Sequence, residues 1–299
     1  MSSPGIRLIN ASTSVLKGLD HVLAPRLNVQ TGVRRLCMAG DPLSEMRAHY
    51  LAVDEGARLV RSAHGRLEFI RTQSLLRRFL PPPPARVLDV GGATGIHATW
   101  HADDGHDVDL IDPIAHHVGV ASSFATFRAR EGDARSLGEE NESVDAVLLL
   151  GPLYHLVDRA DRLTAIREAL RVLRPGGLLA AAGISRYLAA LELGASRDLE
   201  SKRIQLAGRV IETGAYEPFL GFTSAHWHLP DELVGEIREA GFVDAHVFGI
   251  EGPAWTALDA IGLQEFDEYV SSAIAIADLL ESDPVAIPMS AHLMAIARA

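Results

Sequence analysis

Apolar positions in this chain follow two different periods. From residue 86 onward, short apolar runs of strand character alternate with segments whose apolar residues recur at helical spacing. The runs at 87–90, 108–112, 126–130, 143–150, 178–184 and 242–250 predict six strands, and the alternating stretch 291–297 predicts a seventh. Between them lie predicted helices at 96–102, 159–173, 230–241 and 256–283. In the second, Leu163, Ile166, Ala169, Leu170 and Leu173 share one face. Strand–helix alternation of this kind is the mark of a parallel sheet covered on both faces.

Two regions break the alternation. Residues 43–80 carry a helical stripe of Leu51, Leu59, Leu67, Ile70, Leu75 and Leu76, stopped by the prolines at 81–84. Residues 185–229 read as a helix over 187–210, then an aromatic, glycine-broken stretch. Ahead of both, Val15, Leu16, Leu19, Val22 and Leu23 predict a short amphipathic helix within an arm of residues 1–42. A docked extension and a disordered leader both fit that arm.

Composition narrows the function. The 299 residues are 47% hydrophobic and 22% charged, with a formal net charge of −11. An acidic chain is poorly suited to nucleic acid, since phosphate contacts need clustered Lys and Arg. A small-molecule partner is expected instead. Cys37 is the single cysteine, which excludes an intramolecular disulfide and a cysteine-rich zinc site. No signal peptide or membrane-spanning run is apparent, so a cytoplasmic protein with no membrane partner is expected.

The chemistry concentrates where the first strand ends, at Asp89-Val90-Gly91-Gly92-Ala93-Thr94-Gly95. A strand, a glycine turn and a helix N-terminus make a nucleotide-binding corner: the turn lets a ligand approach the backbone, and helical N–H groups face it. Read as the dinucleotide pattern G-x-G-x-x-G, the corner misfits at Ala93 and Ile96. Read as acidic-x-G-x-G-x-G, it departs once, at Ala93. In that form it resembles motif I of the class I S-adenosylmethionine-dependent methyltransferases.

Other stretches fall in the order such a fold needs. Asp112, before Pro113, ends the second strand about 20 residues past the corner, where doubly wound folds place a ribose-binding carboxylate. A turn-capping aspartate is the other reading. Gly132-Asp133-Ala134 resembles the family's adenine-binding segment. Gly151-Pro152-Leu153-Tyr154-His155-Leu156 resembles its loop after the fourth strand, with Tyr154 and His155 facing cofactor and substrate; helix capping by His155 is equally open. Tyr50 sits in a segment that often folds over the cofactor. The Arg174-Pro175-Gly176-Gly177 join is expected to end a helix on a left-handed glycine.

The resemblance, over residues 45–299, implies a doubly wound, Rossmann-like α/β sheet of seven strands. The sheet would be mostly parallel, with an antiparallel last strand. The methyltransferase domain would span 43–299, with a lid insertion at about 185–229. It implies methyl transfer from S-adenosylmethionine to a small-molecule oxygen, nitrogen or carbon nucleophile, leaving S-adenosylhomocysteine. Cofactor contacts are expected from Tyr50, Asp89, Gly91, Gly92, Ala93, Gly95, Asp112, Pro113, Gly132, Asp133, Ala134, Leu150, Gly151, Tyr154 and His155. If the acceptor is a hydroxyl, His155, His226 or His228 could serve as the base. No metal is expected, because His226-x-His228 has no third ligand nearby. A homodimer is permitted but not required. The competing readings are a nicotinamide-dependent oxidoreductase and a cofactor-binding partner protein without catalysis.

Overall fold

Strands that are apolar on both sides must be covered on both sides, which fixes the layers of this molecule. The computed structural model describes residues 42–52, 55–196, 200–218 and 221–299. The helix expected near residues 15–23 and the rest of the arm up to residue 41 lie outside them. The strands are β1 (Arg86–Val90), β2 (Asp107–Asp112), β3 (Arg128–Glu131), β4 (Val144–Leu149), β5 (Leu173–Ile184), β6 (Ala215–Tyr216), β7 (Ala225–His226), β8 (Val243–Gly249) and β9 (His292–Arg298). The helices are α1 (Pro42–Ala52), α2 (Arg58–Arg61), α3 (Ala63–Phe79), α4 (Ile96–Asp103), α5 (Ala115–Ala121), α6 (Pro152–His155) and α7 (Arg159–Val172). They continue with α8 (Leu188–Ala195), α9 (Ser201–Thr213), α10 (Pro230–Glu239), α11 (Trp255–Ile261) and α12 (Phe266–Leu280).

Seven strands form one sheet in the order β3-β2-β1-β4-β5-β9-β8, and β6 pairs with β7 in a small hairpin. β9 runs antiparallel to both β5 and β8, while the β1, β2, β3, β4 and β5 pairings are parallel. The expected mostly parallel sheet with an antiparallel last strand is what the molecule has. Leu88, Val90, Val147, Leu149 and Leu179 bury one face under α7 and α10. Val87, Val108, Leu110, Ala146, Leu148 and Leu178 bury the other, against Leu75 and Leu76 of α3 and Ala98 and Trp100 of α4. Each fully buried leucine contributes about 1.5–3 kcal/mol relative to exposure. The chain leaves β1 for β2 and β3 on one side, then returns to β4 on the other. That reversal of strand order opens a crevice beyond the carboxyl ends of β1 and β4.

Several sequence expectations need correction. The 43–80 segment is not one helix: it breaks before α3, where the Ser62 hydroxyl accepts the Gly65 N–H at 2.9 Å and starts a new helix. The helix expected over 187–210 is two, α8 and α9, and the one over 256–283 divides at Gly262, whose φ is +83°. The join after α7 also differs. Its C-cap is Leu173, in extended conformation, and Gly176 takes φ +77° three residues later, inside the irregular start of β5. Glycine is still needed there, since a Cβ on Gly177 would sit 2.8 Å from the Arg174 carbonyl.

The apolar stripe of α7 conceals a buried cation. Arg162 is 2% exposed and donates to both carboxylate oxygens of Glu236 on α10, from Nε at 2.9 Å and Nη2 at 2.7 Å. Its Nη1 donates to the carbonyls of Leu156 and Val157, at 3.0 and 2.8 Å, just past α6. Removing one partner of such a pair strands the other charge in the interior, at a cost of about 3–5 kcal/mol. Arg162→Ala is therefore expected to lose stability of that order in urea unfolding. A loss under about 1 kcal/mol would show that the pair does not hold α7 to α10.

Candidate functional site

The crevice at the strand-order reversal is a cavity of about 420 Å³. Its walls come from five separated stretches: the glycine corner after β1, the end of β2, the turn after β3, the loop and short helix after β4, and α1 with the turn that follows it. Gly91 and Ala93 line it from the corner, Asp112 and Pro113 from β2, Gly132, Asp133 and Ala134 from the β3 turn. Gly151, Tyr154 and His155 line it from the β4 loop, and Tyr50 from α1.

The corner is built by backbone conformation. Gly91 and Gly95 take φ +74° and +91°, and Gly95 is the N-cap of α4. A Cβ on Gly91 would meet Pro152 Cδ at 2.9 Å, and one on Gly95 would meet the Phe127 ring at 2.6 Å. These glycines thus make room for the protein's own atoms. Ala93 also has positive φ, at +49°, a conformation that costs an L-residue roughly 1–2 kcal/mol. Its N–H donates to Asp112 Oδ2 at 2.9 Å, which holds the residue there.

Asp112 is 4% exposed and ties three groups together. Besides the Ala93 N–H, it accepts the Ile114 N–H on Oδ1 at 2.9 Å, and His117 Nδ1 lies 3.2 Å from that same oxygen. The turn-capping role is therefore real, and the residue also lines the cavity. A carboxylate has about four acceptor positions, so one remains. Asp133 is held differently: Arg135 donates to it from its backbone N–H at 2.8 Å and from Nη2 at 2.6 Å, and those bonds lower its carboxyl pKa.

Over the cavity, the Tyr50 hydroxyl and His155 Nε2 are 2.8 Å apart. Burial raises the Tyr50 pKa well above the usual phenol, so the hydroxyl keeps its proton. Burial, with His49 nearby, drops His155 to about 3, and the ring is neutral at pH 7. Nδ1 of His155 is buried without a partner. Phe222 packs against His49, Tyr154 and His155, with ring centroids 5.5, 6.2 and 5.4 Å apart. Glu45 of α1 accepts from the Ser224 N–H and hydroxyl, so α1 and the segment before β7 meet at this aromatic cluster.

Six expected residues do not line the cavity. Asp89 and Gly92 lie beneath the corner, with Asp89 Oδ2 only 2.7 Å from where a Gly92 Cβ would be. Gly95 is turned toward Phe127, and Leu150 packs into the core. His226 and His228 are the larger correction. His226 Nε2 is 2.9 Å from Glu232 Oε1, and His228, fully buried, has Nε2 3.6 Å from Glu236 Oε2. Both rings pack against α10 carboxylates, outside the cavity wall. Burial alone would raise those carboxyls. His226 beside Glu232, with Arg186 near, and His228 and Arg162 beside Glu236 hold both at about 2. Of the three candidate bases, only His155 reaches the cavity.

Residues that the pattern did not reveal include Glu55, Ile114, His117 and Arg135. His117 alone had a readable signal, one turn into the helix after the β2 carboxylate.

Residues 87–177 match the family model described as a methyltransferase domain. Those residues carry a methyltransferase domain, and the relatives and solved structures that resemble the chain support the class I S-adenosylmethionine-dependent methyltransferase family. An uncharacterised methyltransferase of Mycobacterium tuberculosis is 41% identical to this chain over 101 residues, 33% of this chain and 40% of that protein. The alignment thus spans well under half of the first curated relatives it matches. A ubiquinone biosynthesis O-methyltransferase of Roseobacter denitrificans is 29% identical over 208 residues, 64% of this chain and 76% of that protein. Among solved structures, a possible histamine N-methyltransferase from Thermotoga maritima superposes with a TM-score of 0.54. It shares 16% identity and covers 85% of this chain and 98% of that chain, a likeness of fold.

The buried Asp89 generates a test. Both of its carboxylate oxygens lack a partner, and burial, with the Asp112 charge nearby, pushes its pKa up to about 7. An acid whose folded pKa exceeds its unfolded value of about 3.9 binds protons more tightly when folded. Its stabilising contribution is full below about pH 4 and is lost as pH rises through about 7. Asp89→Asn mimics the protonated form. The ligand-free variant is expected to be more stable than the parent at pH 8, by about 2–4 kcal/mol, and equal to it below pH 4. Equal urea midpoints at both pH values would contradict the raised pKa.

Proposed function

We propose that this methyltransferase-family protein binds S-adenosylmethionine in the 420 Å³ cavity and transfers its methyl group to a small-molecule acceptor. The observation that carries the reading is the convergence of the glycine corner, Asp112, the Asp133–Ala134 turn and the Tyr154–His155 loop on one cavity at the strand-order reversal. The residues fit such a ligand. Asp112 retains acceptor capacity for ribose hydroxyls, and His155 Nδ1 is a buried polar atom without a partner. Gly132 and Ala134 leave a low wall on which a purine can lie.

S-adenosylmethionine supplies an electrophilic methyl on a sulfonium centre. The chain's part is to align, enclose and dehydrate. Holding an acceptor in line with that methyl can contribute several kcal/mol of the rate enhancement, of order 7–11 at the upper end. The aromatic cluster of Tyr50, Tyr154 and Phe222 excludes water from the place where charge is lost. His155, at a pKa of about 3, is too weak a base to deprotonate an alcohol efficiently near neutrality. Its role in this reading is to hold the acceptor through a hydrogen bond. The 185–229 insertion, with α1, serves as the lid. The ubiquinone O-methyltransferase relative supports a small-molecule acceptor, without identifying it.

Calorimetric titration tests the reading. S-adenosylmethionine and S-adenosylhomocysteine are expected to bind one per chain, and NAD not at all. Asp112→Ala is expected to weaken both by about 1–3 kcal/mol, the cost of leaving hydroxyls without an acceptor. Tight NAD binding without S-adenosylmethionine binding would overturn it, and unchanged affinity in the variant would take Asp112 out of the ribose contact.

A further inference from the structure

Beyond the residues that line the cavity, four side chains from three parts of the chain converge in the interior. His64 and Glu68 stand one turn apart on α3, spacing that puts them on the same helix face. Glu251 sits in the turn after β8, and His292 opens β9. Each offers one ring nitrogen or carboxylate oxygen, and these four atoms all lie within 4.8 Å of one another. His64 Nε2 is 3.3 Å from Glu251 Oε1, and His292 Nδ1 is 2.5 Å from that oxygen and 3.7 Å from Glu68 Oε2. Ligand atoms bound to one ion at about 2.0–2.2 Å stand about 3–4 Å apart. The separations of 2.5, 3.3 and 3.7 Å, within a set no wider than 4.8 Å, bracket that spacing.

The donors are also of the right kind. Glu251 is fully buried and Glu68 nearly so, and both carboxylates face the two imidazoles. Arg58 donates to both oxygens of Glu68, at 2.8 Å each, and to Glu55 at 2.8 Å, which fixes the Glu68 carboxylate. Histidine binds metal through its neutral ring, and a divalent cation would take the place of a shared proton among these groups.

The carboxylates are also held in place from outside. Ser290 Oγ donates to Glu251 Oε2 at 2.7 Å and the His292 N–H donates to it at 3.0 Å, leaving Oε1 turned to the two imidazoles. Trp255 packs on the His64 ring at 4.6 Å between centroids. Anchoring of ligands by a surrounding shell is the usual construction of a metal site. The geometry points to a binding site for one divalent transition-metal ion at His64, Glu68, Glu251 and His292, clasping α3 to the ends of β8 and β9. Two imidazoles and two carboxylates suit zinc, manganese, iron(II) or cobalt(II), and no sulfur ligand is needed. The sequence pattern conceals the site because its donors lie far apart in the chain, whereas the adjacent His226-x-His228 pair is plain to read and packs against α10 carboxylates.

Cobalt(II) chloride alone is the probe. The full chain, freed of metal by chelator and exchanged into buffer, is titrated while visible d–d absorption and melting temperature are followed. One Co²⁺ per chain, with new visible bands and a raised melting temperature, is expected. Glu251→Gln and His292→Ala are expected to weaken binding at least tenfold, since even outer-shell partners are worth roughly 10–100-fold. His64→Ala, at the edge of the cluster, should lower affinity while leaving the metal-free melting temperature near that of the parent. A parent protein that stays folded but shows no bands would overturn the proposal. So would equal stoichiometry and affinity in the folded His64→Ala variant, which would mark surface binding. S-adenosylhomocysteine binding is titrated alongside as a separate readout, and since none of the four ligands lines the cavity its failure would not bear on the metal.

Discussion

The Asp112 carboxylate is the fastening on which the candidate site depends. It accepts the Ala93 N–H, across the gap between β1 and β2, and the Ile114 N–H at the start of its own following helix. Two loops that leave neighbouring strands are thereby fixed relative to each other. The positive φ of Ala93 is tolerable only because that hydrogen bond offsets it. Beneath, Asp89 lies against Gly92 without a partner for either oxygen. The corner is therefore a strained, electrostatically loaded piece of backbone between two acids. Such an arrangement is costly to keep in a fold that does not use it.

The opposite wall is made by tertiary contacts. Tyr50 reaches His155 across the cavity, and Glu45 reaches Ser224, so α1 and the insertion are joined above the strand ends. Arg162 fixes the far end of α6, the helix that carries Tyr154 and His155, by taking up the carbonyls of Leu156 and Val157. Stability and site geometry share this residue: the guanidinium that pairs with Glu236 also determines where α6 ends. The His226–Glu232–Arg186 cluster does the equivalent for the insertion, holding its return to the sheet against α10.

Much of the fold was legible because strand–helix alternation leaves a period in the sequence, and the glycine corner was legible because unusual φ values leave glycines. Asp112 was legible from its spacing to that corner. His226 and His228 were misleading because residue type says nothing about partners, and theirs are carboxylates of the following helix. Arg162 was hidden within an apolar stripe. Glu55 and Arg135 line the cavity only because turns in α1's wake and after β3 bring them there, and no local period records that. The left-handed glycine of the Arg174–Gly177 join was foreseen but not its place, since the strand, and not the helix, takes up the turn. Contacts made by folding, as opposed to conformations chosen locally, account for what the pattern left out.

In the proposed function the corner, Asp112 and the loop after β4 enclose one adenosyl-sized ligand. Amide hydrogen exchange of the full chain with and without S-adenosylhomocysteine measures that enclosure directly. Protection is predicted together in the peptides covering residues 91–95, 112–117, 132–135 and 151–155. Binding without protection at 91–95 and 112–117, or protection confined to other parts of the chain, would contradict it.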